Sequence, residues 1–118
     1  MTLDPYAERL ARVRQRFVSS LEGKIADTYA ALPTLTGMEA AAASAVAEAY
    51  RTLHSIVGVA PTVGFPETGK AARAAEDVLR PPQQDKRGLS ADEMTAVQER
   101  LDALREAATQ ELQVVQPA

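Results

Sequence analysis

The chain holds a single histidine, His54, within the stretch Tyr50-Arg51-Thr52-Leu53-His54-Ser55-Ile56-Val57-Gly58-Val59-Ala60-Pro61-Thr62-Val63-Gly64-Phe65. An apolar stripe centred near Leu53 and Ile56 marks this stretch as the buried side of a helix. At 3.6 residues per turn His54 is rotated about 100° from Leu53, which puts it at the edge of a core rather than inside it. Tyr50, Val57, Gly58 and Pro61 share that flank. Gly58 follows His54 by one turn. A glycine within a helix is unfavourable by propensity alone. Its bare backbone leaves room beside the ring for a phosphoryl group or for a partner's active-site loop. A free imidazole titrates at about pH 6.5, so an exposed ring is largely neutral and nucleophilic near neutral pH. Attack on an aspartyl phosphate would give a phosphohistidine able to pass its phosphoryl group to another aspartate. The anionic group would need nearby positive charge or hydrogen-bond donors.

The elements that must position this ring read as four amphipathic helices. The first opens at Asp4-Pro5, an N-cap followed by a proline suited to the first turn. Leu10, Val13, Phe17, Leu21, Ile25 and Leu32 form its stripe, and Pro33 stops it. A separate short N-terminal helix is an alternative reading of its first part. The second starts at Thr36, where Thr36 and Glu39 have capping-box spacing. Its stripe is Ala42, Val46, Ala49, Leu53, Ile56, Ala60 and Val63, with Gly64 just past the end and Pro61 loosening the last turn. The third runs from Pro66 to Leu79 or Arg80, buries Ala71, Ala72, Ala75, Val78 and Leu79, and ends at Pro81-Pro82. Pro81 to Gly88 reads as a polar loop. The fourth opens with a second capping box, Ser90 and Glu93, and buries Met94, Val97, Leu101, Leu104, Ala108 and Leu112. The tail from Val114 to Ala118 is expected to fray. Met38 and Met94 read as structural, and Arg9, Arg12, Arg14 and Arg16 as a solvated face. Single apolar faces and short connections predict one all-α domain over residues 1–118, an antiparallel up-down-up-down four-helix bundle.

Composition narrows the chemistry. The net charge is -3 over 118 residues, with no basic stripe to hold a nucleic-acid backbone. There is no cysteine, hence no thiolate nucleophile or cysteine metal site, and one histidine leaves little for a transition metal. The glycines never cluster as a phosphate-binding loop requires, so no ATP site and no self-phosphorylation are expected. The N-terminus turns charged too early for a secretory signal, and no run approaches the roughly 20 apolar residues of a membrane span. These features predict a cytoplasmic protein that binds neither nucleic acid nor membrane.

The spacing His54-x-x-x-Gly58 with Gly64 six residues later, Ile56 at a leucine position, small Ala60 between the glycines, and Ala75-Glu76 in the next helix resembles the histidine-containing phosphotransfer (HPt) domain family. By motif the likeness covers about Leu53 to Leu79, and the four-helix pattern extends it over most of the chain. The resemblance implies that His54 accepts a phosphoryl group from one receiver-domain aspartate and yields it to another. It also implies that the partners are response-regulator receivers or a hybrid histidine kinase. No cofactor is implied for this chain, since Mg²⁺ would sit on the receiver. The family's usual lysine three residues after the histidine is Val57 here, and Pro61 departs from the family pattern. Antiparallel pairing of the second and third helices about Gly64 places Arg73 level with His54 and Lys70 one turn nearer the turn. Arg51 or Arg73 is therefore expected to replace the missing lysine. Tyr50, Val57 and Pro61 would form the docking surface. Two other readings stay open: an HPt-like module that binds a receiver or kinase without carrying phosphate, and an unrelated bundle in which His54 is incidental.

Overall fold

A computed structural model describes residues 4–115. Helix α1 spans Pro5–Ala31, followed by a 3-10 turn at Leu32–Thr34. Helices α2 (Ala40–Val59), α3 (Pro66–Gln84) and α4 (Ala91–Val115) complete an up-down-up-down bundle. Its core is built from Phe17, Leu21, Leu53, Ile56, Phe65, Leu79, Leu101 and Leu104, with alanines between them. Phe17 and Phe65 meet edge to face, with ring centroids 5.2 Å apart.

Asp4 caps α1 as its type demands, accepting a bond from the Ala7 amide at 3.0 Å. The helix then runs 27 residues without a break, so no separate N-terminal helix exists among the described residues. No proline follows Pro5 within it to interrupt the backbone ladder. All seven residues of the expected α2 stripe are buried.

Three boundaries differ from expectation, each for a physical reason. The Thr36–Glu39 box does not form, and α2 begins at Ala40, with no side chain capping its first turn. The backbone at Leu35–Thr36 is engaged elsewhere: the Leu89 amide donates to the Leu35 carbonyl at 2.8 Å, and Thr36 bridges Leu89 in parallel. This clasp joins the α1–α2 and α3–α4 connections. It leaves Met38 fully exposed, 103% relative to a free residue, so that methionine is no core residue. Gly88 makes the clasp possible, because a Cβ there would collide with the Leu35 and Gly37 carbonyls.

Secondly, α2 ends at Val59, not in a loosened turn reaching Val63. Ala60 to Gly64 forms a turn closed by the Phe65 amide on the Ala60 carbonyl at 2.8 Å, with Gly64 at φ +90°. That is the helix ending in which a left-handed residue lets the chain reverse. Thirdly, α3 does not stop before Pro81 but carries Pro81 and Pro82 through to Gln84. Each interior proline costs about 3 kcal/mol. Burial of Pro82 opposes that cost, as do the amides of Asp85 and Arg87, which bond the Pro81 and Pro82 carbonyls at 2.9 and 3.0 Å. The loop is thus shorter than Pro81–Gly88. Val114 and Val115 belong to α4, and the rest of the expected frayed tail lies outside the described residues.

Side chains tie the outer helices to the α2–α3 pair. Arg14, expected only on a solvated face, donates from Nε to the Val63 carbonyl at 3.0 Å. Lys24 of α1 reaches Ser55 of α2 at 3.2 Å. Glu111 of α4 accepts bonds from the amides of Glu67 and Thr68 at 3.2 and 2.6 Å, capping α3 from another helix. Tyr29 donates to Asp102 at 2.5 Å under the Arg105 guanidinium, and burial together with that bond pushes its hydroxyl up to about 12.

The Ser90–Glu93 box forms in both directions, at 3.1 and 2.9 Å. Hydrogen bonds from Arg87 hold the Glu93 carboxyl down at about 2 against the opposing effect of burial, with the Ser90 amide adding to them. A folded-state value below the unfolded one contributes stability that is present above about pH 4.5 and lost as pH falls toward 2. Urea denaturation should therefore show stability falling across that window, and Glu93→Gln should flatten that part of the profile. Gly88→Ala should cost at least about 2 kcal/mol at any pH, the range of overpacking.

Candidate functional site

The ring of His54 stands on the α3-facing flank of α2 with its side chain 66% exposed. The core-edge position follows from the stripe: Leu53 and Ile56 are fully buried on either side of it in sequence. Across the groove, Glu76 of α3 is buried, its side chain only 3% exposed, with Oε1 3.0 Å from His54 Nδ1. Tyr50, one turn before His54, lies parallel to the imidazole with centroids 5.9 Å apart and planes 10° apart. Arg80, one turn after Glu76, brings Nη2 to 3.2 Å from the same Oε1 and Nη1 to 3.0 Å from Asp77.

A buried carboxylate must be explained, because desolvation penalises its charge. Burial does push the Glu76 carboxyl up. The hydrogen bonds and charge of His54 and the Arg80 guanidinium outweigh it, and the net displacement is downward. Glu76 is therefore a carboxylate, and a carboxylate only accepts hydrogen bonds. It follows that Nδ1 of His54 carries a proton, and that in the neutral ring Nε2 presents a lone pair on the exposed side. A fixed tautomer with an outward lone pair is a nucleophile held in one orientation. The same support by an acid behind the far nitrogen serves imidazoles in metal sites.

Gly58 lies one turn beyond His54 and is exposed. A Cβ built on it meets no atom within 4 Å. Nothing inside this chain requires glycine there, so the space it leaves is open to a group arriving from outside. Gly69, by contrast, is a packing residue: a Cβ there would press on the Pro61 ring at 3.2 Å, where α3 crosses the end of α2. That contact explains a glycine inside α3 despite its helix-propensity cost.

The cations expected beside His54 are placed differently. Arg51 is bound to Glu48 at 2.6 Å and Lys70 to Glu67 at 3.3 Å, both on exposed surface. Arg73 is exposed and lies almost a turn before the residue that meets His54. Because Pro61 to Phe65 are spent in the turn and α3 begins at Pro66, Glu76 rather than Arg73 stands level with the ring. The cation joined to His54 through a shared oxygen is Arg80, which the sequence reading left unassigned. Glu76 appeared there only as part of a family pattern. The signal that could have found it was an acid directly after Ala75, on the buried side marked by Ala72 and Leu79. Of the docking residues, Tyr50 and Val57 are half-buried and Pro61 is exposed.

With this geometry in hand, comparison with known proteins gives one family: the Hpt domain, whose pattern matches residues 12–107. The chain belongs to the Hpt domain family. No curated protein and no solved structure matches it. Hpt domains are helical bundles that take part in histidine phosphotransfer with the receiver domains and kinases of two-component systems. Among the described residues no helix is long and apolar enough to cross a membrane.

Two outcomes check the site. In ¹⁵N NMR the neutral form of His54 should show a protonated Nδ1 and a bare Nε2. Gly58→Ala should not destabilise the fold and should stabilise it by up to about 1 kcal/mol, the helix propensity gain; a loss would mean that the glycine serves packing instead.

Proposed function

We propose that the chain is a phosphorelay intermediate in which Nε2 of His54 takes a phosphoryl group from a receiver-domain aspartate and passes it to another. The observation that supports this most is the exposed ring whose Nδ1 is tied to buried Glu76, leaving Nε2 free beside the open surface at Gly58. In the forward step the Nε2 lone pair forms the N–P bond as the bond from phosphorus to the aspartyl oxygen breaks. The carboxylate leaves with the electron pair. The reverse step regenerates neutral imidazole. The receiver supplies Mg²⁺ and the acidic pocket, and the cytoplasm, where such receivers work, is the setting.

Arg80 takes the place of the lysine that Val57 replaces. Its side chain is 40% exposed and its guanidinium already borders the His54–Glu76 pair, so a modest side-chain rotation carries it toward a phosphoryl group. Arg51 and Arg73 have no such contact with the ring. Tyr50, Val57 and Pro61 form the docking surface around the histidine.

Val57 supports one competing reading, an Hpt domain that binds receivers without accepting phosphate. Incubation with phosphorylated receiver domains separates the two. Acid-labile, base-stable label should appear on the parent and vanish in His54→Gln; binding without label would favour the competing reading. Arg80→Ala should lower the phosphohistidine yield about tenfold, in line with the loss of a charged hydrogen bond. The double variant of Arg51 and Arg73 to alanine should match the parent.

A further inference from the structure

If His54 carries the phosphoryl group, the fate of its other nitrogen sets how long the group stays. Attack by the Nδ1-protonated tautomer produces a ring with phosphorus on Nε2, hydrogen on Nδ1 and a positive charge. Two courses then exist. Loss of the Nδ1 proton to water leaves a neutral phosphoimidazole, whose N–P bond can break only by expelling an imidazolate anion, a poor leaving group. Retention of the proton lets the ring depart as neutral imidazole when an acceptor oxygen attacks phosphorus.

The structure bears on that choice through one contact. The Glu76 carboxylate lies 3.0 Å from Nδ1 in a buried setting, on the side of the ring away from solvent. The groups facing it are few. From α2 they are His54 and Tyr50, and from α3 Arg80, which is shared with Asp77. The ring itself meets Tyr50 and Glu76. Arg51 is taken up by Glu48, and Lys24 of α1 reaches α2 at Ser55. His54 Nδ1 and Arg80 converge on Oε1, while Oε2 is buried with no hydrogen-bond partner among the described residues. One guanidinium thus serves two carboxylates, Glu76 and Asp77, and a cationic ring beside Glu76 supplies the second positive charge.

We propose that Glu76 is a positioning residue that holds the Nδ1 proton on the phosphorylated ring, keeping the phosphohistidine in its reactive, short-lived form. The chain then hands its phosphoryl group on quickly rather than storing it. This rests on His54 as the acceptor but adds a property that the acceptor role does not require. A neutral glutamine at position 76 would orient the ring equally well through its side-chain oxygen, yet it would carry no charge to keep the proton.

The test bypasses any cognate receiver. Parent, Glu76→Gln and Arg80→Ala chains are phosphorylated with phosphoramidate, and loss of the phosphoryl group is followed by ³¹P NMR from pH 6 to 9. The parent's rate should hold steady into the alkaline range. The rate for Glu76→Gln should fall from a lower pH and be about tenfold or more slower at pH 8, the displacement expected when an adjacent opposite charge is lost. Arg80→Ala, which removes the competing cation, should move the fall to higher pH, and this arm stands even if Glu76→Gln fails to fold. Superimposable profiles for all three chains would overturn the proposal while leaving receiver-dependent labelling of His54 intact. Failure of phosphoramidate to modify His54 at all would overturn both this proposal and the relay.

Discussion

A carboxylate sealed against the core at the α2–α3 seam is the constraint around which this bundle is arranged. Burying a charge without partners would cost several kcal/mol. Glu76 offsets much of that cost because His54 and Arg80 both reach Oε1. The partners are not interchangeable in function. Arg80 is held by the carboxylate, whereas His54 is both held and oriented, since an acceptor behind Nδ1 leaves its other nitrogen to face solvent. An interaction that looks like a stability device is at the same time the one that decides which atom of the ring can react.

That contact exists only if two helices meet in one register. The Ala60–Phe65 turn, with Gly64 in the left-handed region and the Pro61 ring seated over Gly69, sets where α3 begins and hence which of its residues stands opposite His54. The remaining ties hold the pair in its frame. Arg14 fastens α1 to the end of the turn, Glu111 fastens α4 to the start of α3, and Gly88 admits the backbone clasp at the far end of the bundle. Each of these supplies a partner to a polar backbone group that a helix end or a connection would otherwise leave open.

Much of this was legible in the sequence because helical periodicity is strict. The α2 stripe was read correctly at every position, and the edge location of His54 followed from it. The Asp4 cap and the Ser90–Glu93 box were equally readable, as local rules between neighbours. What could not be read depended on partners distant in sequence. Thr36 and Glu39 had the right spacing for a cap, but the backbone beside them is committed to Leu89. Pro81 and Pro82 looked like a stop, but burial carries the helix through them. Met38 looked like a core residue only because α2 was started four residues too early. In the site, a register estimate wrong by less than one turn selected Arg73 and passed over Glu76 and Arg80. The acid on the buried side of α3 was a local signal for Glu76, but only the turn geometry sets it and Arg80 beside His54.

The claim on which the rest depends is that Nε2 of His54 is the atom that bonds phosphorus. The most direct measurement is the ³¹P–¹⁵N coupling in a chain carrying ¹⁵N-labelled histidine, recorded after phosphorylation by a receiver domain. A one-bond coupling to Nε2, with Nδ1 still bearing its proton, is the expected result. Coupling to Nδ1, or phosphorus bound anywhere other than the imidazole, would contradict the account.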